Sequence, residues 1–225
     1  VSQNWIGGRM PSTAVYVPPP HTEVAKCLSD FEKFINNEEI DTPDLIKIAI
    51  LHYQFESIHP FLDGNGRIGR LLIPLYMQSK GMLEKSCLYI SDYIERNKDT
   101  CYDMLTRVRT NNDMLGWIKF FLEAVIATSK TAKEKFRNVV ELTMEMDKVI
   151  MDLSVKPENA RKVLDVLYDE PIISRKKILE KIDIKPTTLN VTVNSLQERG
   201  IIQETTGYSS NQVFAFQKYI DLFLK

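Results

Sequence analysis

The chain has 225 residues, of which 44% are hydrophobic and 26% charged, a composition typical of a globular protein with room for one large domain or two small ones. Its 29 Lys and Arg residues nearly balance its 30 Asp and Glu residues, and the net charge is -1. This balance excludes a protein whose overall charge draws it to nucleic acid or to an anionic membrane.

The cysteines and the hydropathy of the sequence limit the classes of protein to which the chain can belong. Cys27, Cys87 and Cys101 are widely spaced and form no Cys-x-x-Cys pair, so the sequence predicts neither a disulfide framework nor a zinc site. No apolar run reaches the ~20 residues that a membrane span requires. The first residues also lack the pattern of a signal peptide. We therefore expect a cytoplasmic protein without a membrane partner.

The N-terminal half begins with a short irregular segment followed by helices. Glycines and prolines surround a β-like piece at 12–17, which predicts a small hairpin or flap over about residues 5–20. Helical spacing of apolar residues begins at Thr22, and a second helix is predicted from Thr42-Pro43 to about Ser57. After a loop, residues 68–78 are apolar on nearly all sides, which predicts a central buried helix.

Helical patterns continue through the middle of the chain. Helices are predicted at about 98–109 and 113–128, and a heptad-like stripe then predicts a further long helix ending before Pro157. We interpret the stripe as intramolecular packing, with a homodimer seam as the alternative. Its members are Phe136, Val139, Thr143, Met146, Ile150 and Leu153.

The last third of the chain has a different pattern. Three short helices are predicted at about 160–167, from Ser174 to Ile182, and at 187–199, followed by two strands around a Gly-Tyr-Ser-Ser turn. This order is typical of a winged helix-turn-helix. We therefore predict two domains, residues 1–157 and 158–225.

The stretch "SIHPFLDGNGRIGRLL" holds the residues best suited to chemistry. Gly64, Asn65 and Gly66 can turn backbone N–H groups inward as an anion nest, and the helix that follows directs its positive dipole end to the same place. Arg67 and Arg70 lie on one face of the first helical turn, where two guanidinium groups can bind phosphate oxygens. The loop therefore predicts a polyphosphate site.

Two further side chains in the loop suggest a reaction. Asp63 is a hard oxygen ligand of the kind that Mg²⁺ uses when it also binds phosphates. His59 has an ordinary pKa near 6.5 and can accept a proton at neutral pH. Together with the phosphate site, they indicate phosphoryl or nucleotidyl transfer.

The segment "HPFLDGNGRIGR", residues 59–70, resembles the signature of the Fic family and meets every fixed position of it. The resemblance extends over residues 1 to about 155 and implies a mainly α, Fic-type helical bundle with a hairpin flap. A C-terminal winged helix is a familiar attachment in that family. The activity it implies is transfer of AMP from Mg·ATP to a Ser, Thr or Tyr hydroxyl of a target protein.

The resemblance also implies a role for each residue of the loop. His59 would be the general base, Asp63 would hold Mg²⁺, and Arg67, assisted by Arg70, would take the departing pyrophosphate. Gly64, Asn65 and Gly66 would bind the phosphates. Pro60 and Phe61 would be structural, with Phe61 plugging the loop into the core.

Two other sets of residues follow from the family pattern. The flap residues Thr13, Ala14, Val15, Tyr16 and Val17 would present a strand edge to an extended target segment. Tyr93, Asn97 and Tyr102 are candidates for the adenine pocket, and Tyr102 is equally consistent with a core aromatic.

Alternatives remain at this stage. The winged helix could bind DNA, with the Fic core as a nucleotide sensor, although the predicted recognition helix carries few cations. The enzyme could also transfer another nucleotide or a phosphate, or catalyse the reverse reaction. We expect His52 to be a core residue and His21 to be solvated.

Overall fold

The computed structural model describes residues 3–85, 88–208 and 211–224, so Cys87 and the two serines of the predicted turn lie outside the described residues. The described chain is mainly helical. It forms two units, residues 1–132 and 133–225. The division falls before the boundary predicted near residue 157.

The first unit consists of helices around a single apolar cluster. Trp117 lies at its centre, fully buried, and its indole N–H donates to the carbonyl of Ala49 at 2.8 Å. Residues from every helix of the unit except the first are buried in the cluster, and Phe31, Phe34 and Ile35 of the first helix pack against it. The helices are α1 (His21–Asn36), α2 (Asp44–Ile58), α3 (Asn65–Ser79), α4 (Ile90–Arg96), α5 (Lys98–Asn111) and the beginning of α6 (Met114–Met151).

Helix α6 corrects the prediction of two helices in this region. It runs for 38 residues without interruption. Gly116, in its first turn, is the last glycine or proline before Pro157, so nothing in the sequence ends the helix at residue 128. Helix α4 was not predicted, because seven residues are too few to show a helical period.

Helix α3 is less buried than its composition predicted. Ile73, Tyr76 and Met77 face the core, but Leu71 is 55% exposed and Leu75 is 48% exposed. Exposing an apolar side chain costs much less free energy than burying a charged one, so apolar residues are common at protein surfaces. An apolar composition therefore overestimates how much of a helix is buried. Gly81 has the predicted left-handed conformation just after the helix, at φ +68°.

The N-terminal segment folds back on itself but does not form the predicted hairpin. A single antiparallel bridge joins Ile6 to Tyr16, with the Ile6 N–H donating to the Tyr16 carbonyl at 2.8 Å. Thr13 belongs to a short 3₁₀ helix, Pro11–Thr13, and not to a strand edge. Prolines at positions 11 and 18–20 remove the N–H donors that a longer ladder would need.

The second unit has the winged helix-turn-helix order. Its elements after α6 are α7 (Pro157–Asp169), β1 (Ile172–Ser174), α8 (Arg175–Lys181), α9 (Pro186–Glu198), β2 (Gln203–Glu204), β3 (Val213–Ala215) and α10 (Gln217–Leu224). In the described residues, the strands form an antiparallel sheet in the order β1-β3-β2. As predicted, Ser174 caps α8, its hydroxyl accepting from the Lys177 N–H at 3.3 Å.

The end of α6 belongs to the core of the second unit, which is why the units divide earlier than residue 157. Met146, Ile150 and Leu153 are buried with α7 and α9, so this part of the stripe packs within the chain as predicted. Phe136, at the start of the stripe, is 56% exposed. Strand β1 and helix α10 were not predicted.

Candidate functional site

The loop between α2 and α3 contains two left-handed residues that set its course. His59 follows the last residue of α2 at φ 49° and ψ 56°, and Gly64 precedes α3 at φ 88° and ψ 1°. Gly64 takes this conformation without strain because it has no Cβ, whereas His59 does not have that freedom. The two turns reverse the chain so that α3 packs against α2.

The start of α3 has the free N–H groups expected of an anion site. The first helical hydrogen bond of α3 is donated by the Ile68 N–H to the Gly64 carbonyl at 3.0 Å. The N–H groups of Asn65, Gly66 and Arg67 precede it and therefore have no acceptor within the helix. They lie where the positive end of the helix dipole adds to their charge.

The Asn65 side chain has a structural role that the sequence analysis did not assign. It is only 2% exposed, and it accepts from the Phe61 N–H at 2.9 Å while its amide nitrogen donates to the Phe61 carbonyl. The Asn65 side chain thus holds the loop, while its backbone N–H at the start of α3 has no acceptor within the helix. Phe61 itself is 46% exposed, so it does not plug the loop into the core as predicted.

Asp63 and Arg67 form an ion pair at the mouth of the loop. The Arg67 guanidinium lies 2.9 Å from the Asp63 carboxylate, and both side chains are largely exposed. The other Asp63 oxygen accepts from the Gly64 N–H at 2.7 Å. An exposed pair of this kind stabilises the fold by only about 0.2–1 kcal/mol. It can therefore open easily to bind a ligand.

Arg70 lies deeper, beside a carboxylate that was not predicted. Glu56 is partly buried at the end of α2, and burial raises its pKa, while the charges of Arg70 and Arg109 lower it. Its Oε1 lies so close to Gly69 that a Cβ on that glycine would overlap it, and the same Cβ would lie 3.2 Å from the rings of His52 and Phe55. The close approach of α2 and α3 therefore depends on glycine at position 69.

His59 is arranged to be neutral at pH 7. Its Nδ1 lies 3.3 Å from the Glu56 carbonyl and donates to it in the neutral tautomer that leaves Nε2 free. Burial lowers the pKa of His59, an effect that the hydrogen bond to Glu56 opposes and the charge of Arg109 reinforces. A neutral imidazole with a free Nε2 is the form that a general base requires.

The other two histidines have the positions expected of them. His52 is 2% exposed, its Nδ1–H donates to the Gly69 carbonyl at 3.0 Å, and its ring stacks on Trp117. Burial lowers its pKa to about 4. His21 is exposed on α1. His52 is therefore confirmed as a core residue with a satisfied ring.

The candidates for the adenine pocket are found on α4 and α5. The Tyr93 ring lies 6.1 Å from that of Phe120 and packs against the core, and Asn97 donates to the Tyr93 carbonyl at 2.8 Å. Tyr102 is 56% exposed, which excludes its interpretation as a core aromatic. Their contact with adenine stays a prediction.

The flap residues do not all face the same way. Val15 and Val17 are exposed, whereas the Tyr16 hydroxyl donates to the Ser57 carbonyl at 2.8 Å. The Arg109 guanidinium lies 3.7 Å from the centre of the Tyr16 ring. Tyr16 is thus engaged within the fold, and the valines are the flap side chains available to a target.

Three residues near the motif were missed by the sequence analysis: Asn4, Glu56 and Arg109. Each lies within hydrogen-bond distance of the loop or acts on it electrostatically. Asn4 and Arg109 are far from the loop in sequence, and an isolated Asn or Arg carries no local signal. Glu56 is only three residues before His59, but nothing in its spacing shows that it faces Gly69.

The geometry places His59 beside the start of α3, where three backbone N–H groups have no acceptor within the helix. Residues 5–77 match the Fic/DOC family, and residues 157–203 match a family described as winged helix-turn-helix DNA-binding. The chain is therefore similar to the Fic/DOC family over residues 5–77 and to winged helix-turn-helix proteins over residues 157–203.

Individual relatives agree with this assignment. The "Protein adenylyltransferase Fic" of Drosophila erecta is 30% identical over 130 residues, covering 56% of this chain and 24% of the relative. A "Probable protein adenylyltransferase" of Aquifex aeolicus (strain VF5) is 24% identical over 169 residues, covering 67% of this chain and 51% of the relative. The chain spans about a quarter of the length of the Drosophila relatives it matches.

A solved structure is also similar. It is a Fic family protein from Desulfovibrio desulfuricans G20, 22% identical, with a TM-score of 0.49 over 89% of this chain and 57% of that one. Within the described residues, no helix has the length and hydropathy needed to cross a bilayer.

Proposed function

We propose that this protein is an adenylyltransferase that moves AMP from ATP to a hydroxyl side chain of a target protein and releases pyrophosphate. The observation that carries the proposal is the start of α3, where the N–H groups of Asn65, Gly66 and Arg67 lack helical acceptors. His59 precedes this helix by six residues as a neutral base. The names of the relatives from Drosophila and Aquifex support the same reaction.

The chemistry follows from the positions of the base and the phosphate site. His59 Nε2 accepts the proton of the target hydroxyl, and the hydroxyl oxygen forms a new bond to the α-phosphorus of ATP. The bond between the α-phosphorus and the bridging oxygen then breaks, and the electron pair leaves with pyrophosphate. Arg67 and Arg70 balance the negative charge of this leaving group.

Asp63 fits a site for Mg²⁺ that the phosphates complete. Its carboxylate is almost fully exposed and lies next to the anion site, and Mg²⁺ is commonly bound by one or two carboxylates together with substrate phosphates. When bound, the ion supplies positive charge that neutralises the phosphates. Asp63 would hold the ion, and the Arg67 guanidinium, when not paired with Asp63, would bind the β- and γ-phosphates.

The target and the adenine are bound by less specific features. The exposed Val15 and Val17 would contact an extended target segment, and Tyr102 would offer an aromatic face to the adenine. None of these contacts selects a particular side chain beyond the hydroxyl. We therefore propose Ser, Thr and Tyr equally as acceptors.

The test uses purified protein, Mg²⁺ and ATP labelled at either the α- or the γ-phosphate. Label transferred to protein from α-labelled ATP alone, and lost in His59→Ala, is the expected result. His21→Ala is the matched control, because it removes an exposed histidine outside the loop. Transfer from γ-labelled ATP would identify a kinase instead, and transfer that survives His59→Ala would refute the role of His59.

DNA binding by the second unit is a second candidate, favoured by the family match of residues 157–203. The surface of α9 offers it limited support, since Asn190 already accepts from Arg175 at 2.9 Å. Phosphate contacts would come chiefly from Arg175, Lys176 and Lys185. An affinity for duplex DNA that falls steeply with salt and persists in His59→Ala would establish this function separately from transfer.

A further inference from the structure

Two side chains of the N-terminal segment bind three alternate carbonyl groups of the turn that carries His59. The Asn4 amide nitrogen donates to the Phe61 carbonyl at 2.9 Å and lies 3.4 Å from the His59 carbonyl. The Tyr16 hydroxyl donates to the Ser57 carbonyl at 2.8 Å. The carbonyls at 57, 59 and 61 therefore all accept from one short segment that is remote in sequence.

The turn at His59 needs contacts from outside the helix. Helix α2 ends at Ile58, so the Ser57 carbonyl in its last turn has no donor within the helix, whereas the Phe61 carbonyl accepts from the Asn65 amide as well as from Asn4. His59 is also held in the left-handed region, which costs a non-glycine residue roughly 1 kcal/mol or more. Such a conformation persists only where neighbouring contacts determine it.

Asn4 and Tyr16 are themselves fixed in place, which allows them to fix the turn. The bridge between Ile6 and Tyr16 joins the two ends of the segment, with a second bond from the Val15 N–H to the Ile6 carbonyl at 2.9 Å. The Asn4 side-chain oxygen accepts from the Trp5 N–H at 2.9 Å, which orients its amide nitrogen toward the turn. Arg109 of α5 covers the Tyr16 ring.

We propose that Asn4 and Tyr16 are positioning residues, which hold the backbone of residues 57–61 so that the His59 imidazole faces the reacting hydroxyl. The segment predicted to bind the target thus has a second role within the active site itself. The effect on catalysis rests on the proposed adenylyl transfer. The effect on the turn is independent of that function, because it follows from the hydrogen bonds of Asn4 and Tyr16 alone.

The experiment compares Asn4→Ala and Tyr16→Phe with Gln3→Ala. Tyr16→Phe removes only the hydroxyl and keeps the ring beneath Arg109. Gln3→Ala is the matched control, since its side chain donates to Pro18 and Asn4 backbone carbonyls and not to the turn. The protein has three histidines, so an NMR titration of their ring protons follows His59 with His21 and His52 as internal references.

The first readout is structural and needs no enzyme activity. In Asn4→Ala and Tyr16→Phe, the amides of His59 and Phe61, which donate to the Phe55 carbonyl and the Asn65 side chain, should exchange with solvent faster. The pKa of His59 should rise toward its ordinary value as the ring becomes hydrated. The titrations of His21 and His52 should not move. Gln3→Ala should match the wild type in every respect.

The second readout is the rate of transfer from ATP. Misplacing the base should lower kcat by about 10-fold or more in either variant while KM for ATP changes little, because the N–H groups at the start of α3 are untouched. Unchanged exchange and titration in both variants would overturn the proposal, even if activity fell. Changed exchange and titration without any transfer by the wild type would leave the positioning role standing and refute the adenylyltransferase.

Discussion

His52 makes the stability of the first unit depend on pH below neutrality. Its pKa is about 4 in the folded protein and 6.5 in an unfolded chain. Because the folded pKa is lowered, the stabilising effect is complete above pH 6.5 and is lost as the pH falls toward 4. The shift corresponds to a loss of about 3 kcal/mol in the free energy of unfolding at pH 4, at ~1.4 kcal/mol for each pH unit.

The comparison that isolates this effect is with His52→Asn. An asparagine amide can still donate to the Gly69 carbonyl, but it does not titrate in this range and loses the ring contact with Trp117. The variant should therefore be less stable than the wild type at pH 7. The difference should shrink by about 3 kcal/mol between pH 7 and pH 4, because only the wild type loses the contribution of His52.

Urea unfolding followed by tryptophan fluorescence measures this difference. Both tryptophans, Trp5 and Trp117, belong to the first unit, and Trp117 is fully buried against His52, so the signal reports on the relevant core. Other groups that titrate contribute equally to both proteins and cancel. A difference between the two proteins that stays constant from pH 7 to pH 4 would refute the reasoning.

Three further predictions concern the motif loop. Gly69→Ala should lower the free energy of unfolding by about 1–2 kcal/mol, because its Cβ would overlap the Glu56 carboxylate and crowd two buried rings. Gly66→Ala should not lower it, because its Cβ would meet the movable end of the Arg70 side chain at 3.2 Å and the Glu56 carboxylate at 4.0 Å; urea midpoints compare the two variants. Asn65→Ala should cost about 1–3 kcal/mol by leaving the Phe61 N–H without its partner, and a smaller loss by the same assay would contradict that role. The acid limb of kcat/KM for transfer should have a midpoint below pH 6.5, because burial lowers the pKa of His59; a midpoint above 6.5 would exclude a neutral His59 as the base.

The sequence predicted the parts of the fold that depend on local patterns. The motif loop, α1, α2, α5 and the winged helix order were all read from spacing, caps and glycines, which act over a few residues. Asn4 and Tyr16 show why the rest was missed. Their hydrogen bonds join residues 41 to 57 positions apart, and no local pattern specifies such a partner.

Two other predictions were wrong, each for a different physical reason. Leu71 and Leu75 were predicted to be buried because their helix is apolar, but burial depends on what packs against a face and not on its composition. The division of α6 was predicted from a change of pattern at residue 128, although no glycine or proline is present there to end a helix. Tertiary packing determines the exposure of Leu71 and Leu75, and the absence of a helix stop signal allows α6 to continue past residue 128.

The buried Asn65 side chain also affects how the protein ages. Asn65 precedes Gly66, and an Asn-Gly pair in a flexible chain is prone to deamidation, in which the glycine nitrogen attacks the side-chain carbonyl and converts the asparagine to an acid. In the folded loop, the Asn65 amide is held on the Phe61 backbone and the Gly66 nitrogen lies in the first turn of a helix, so this attack is geometrically hindered. An acid at position 65 would no longer donate to the Phe61 carbonyl. Each episode of unfolding thus exposes the loop to a chemical change that refolding does not repair.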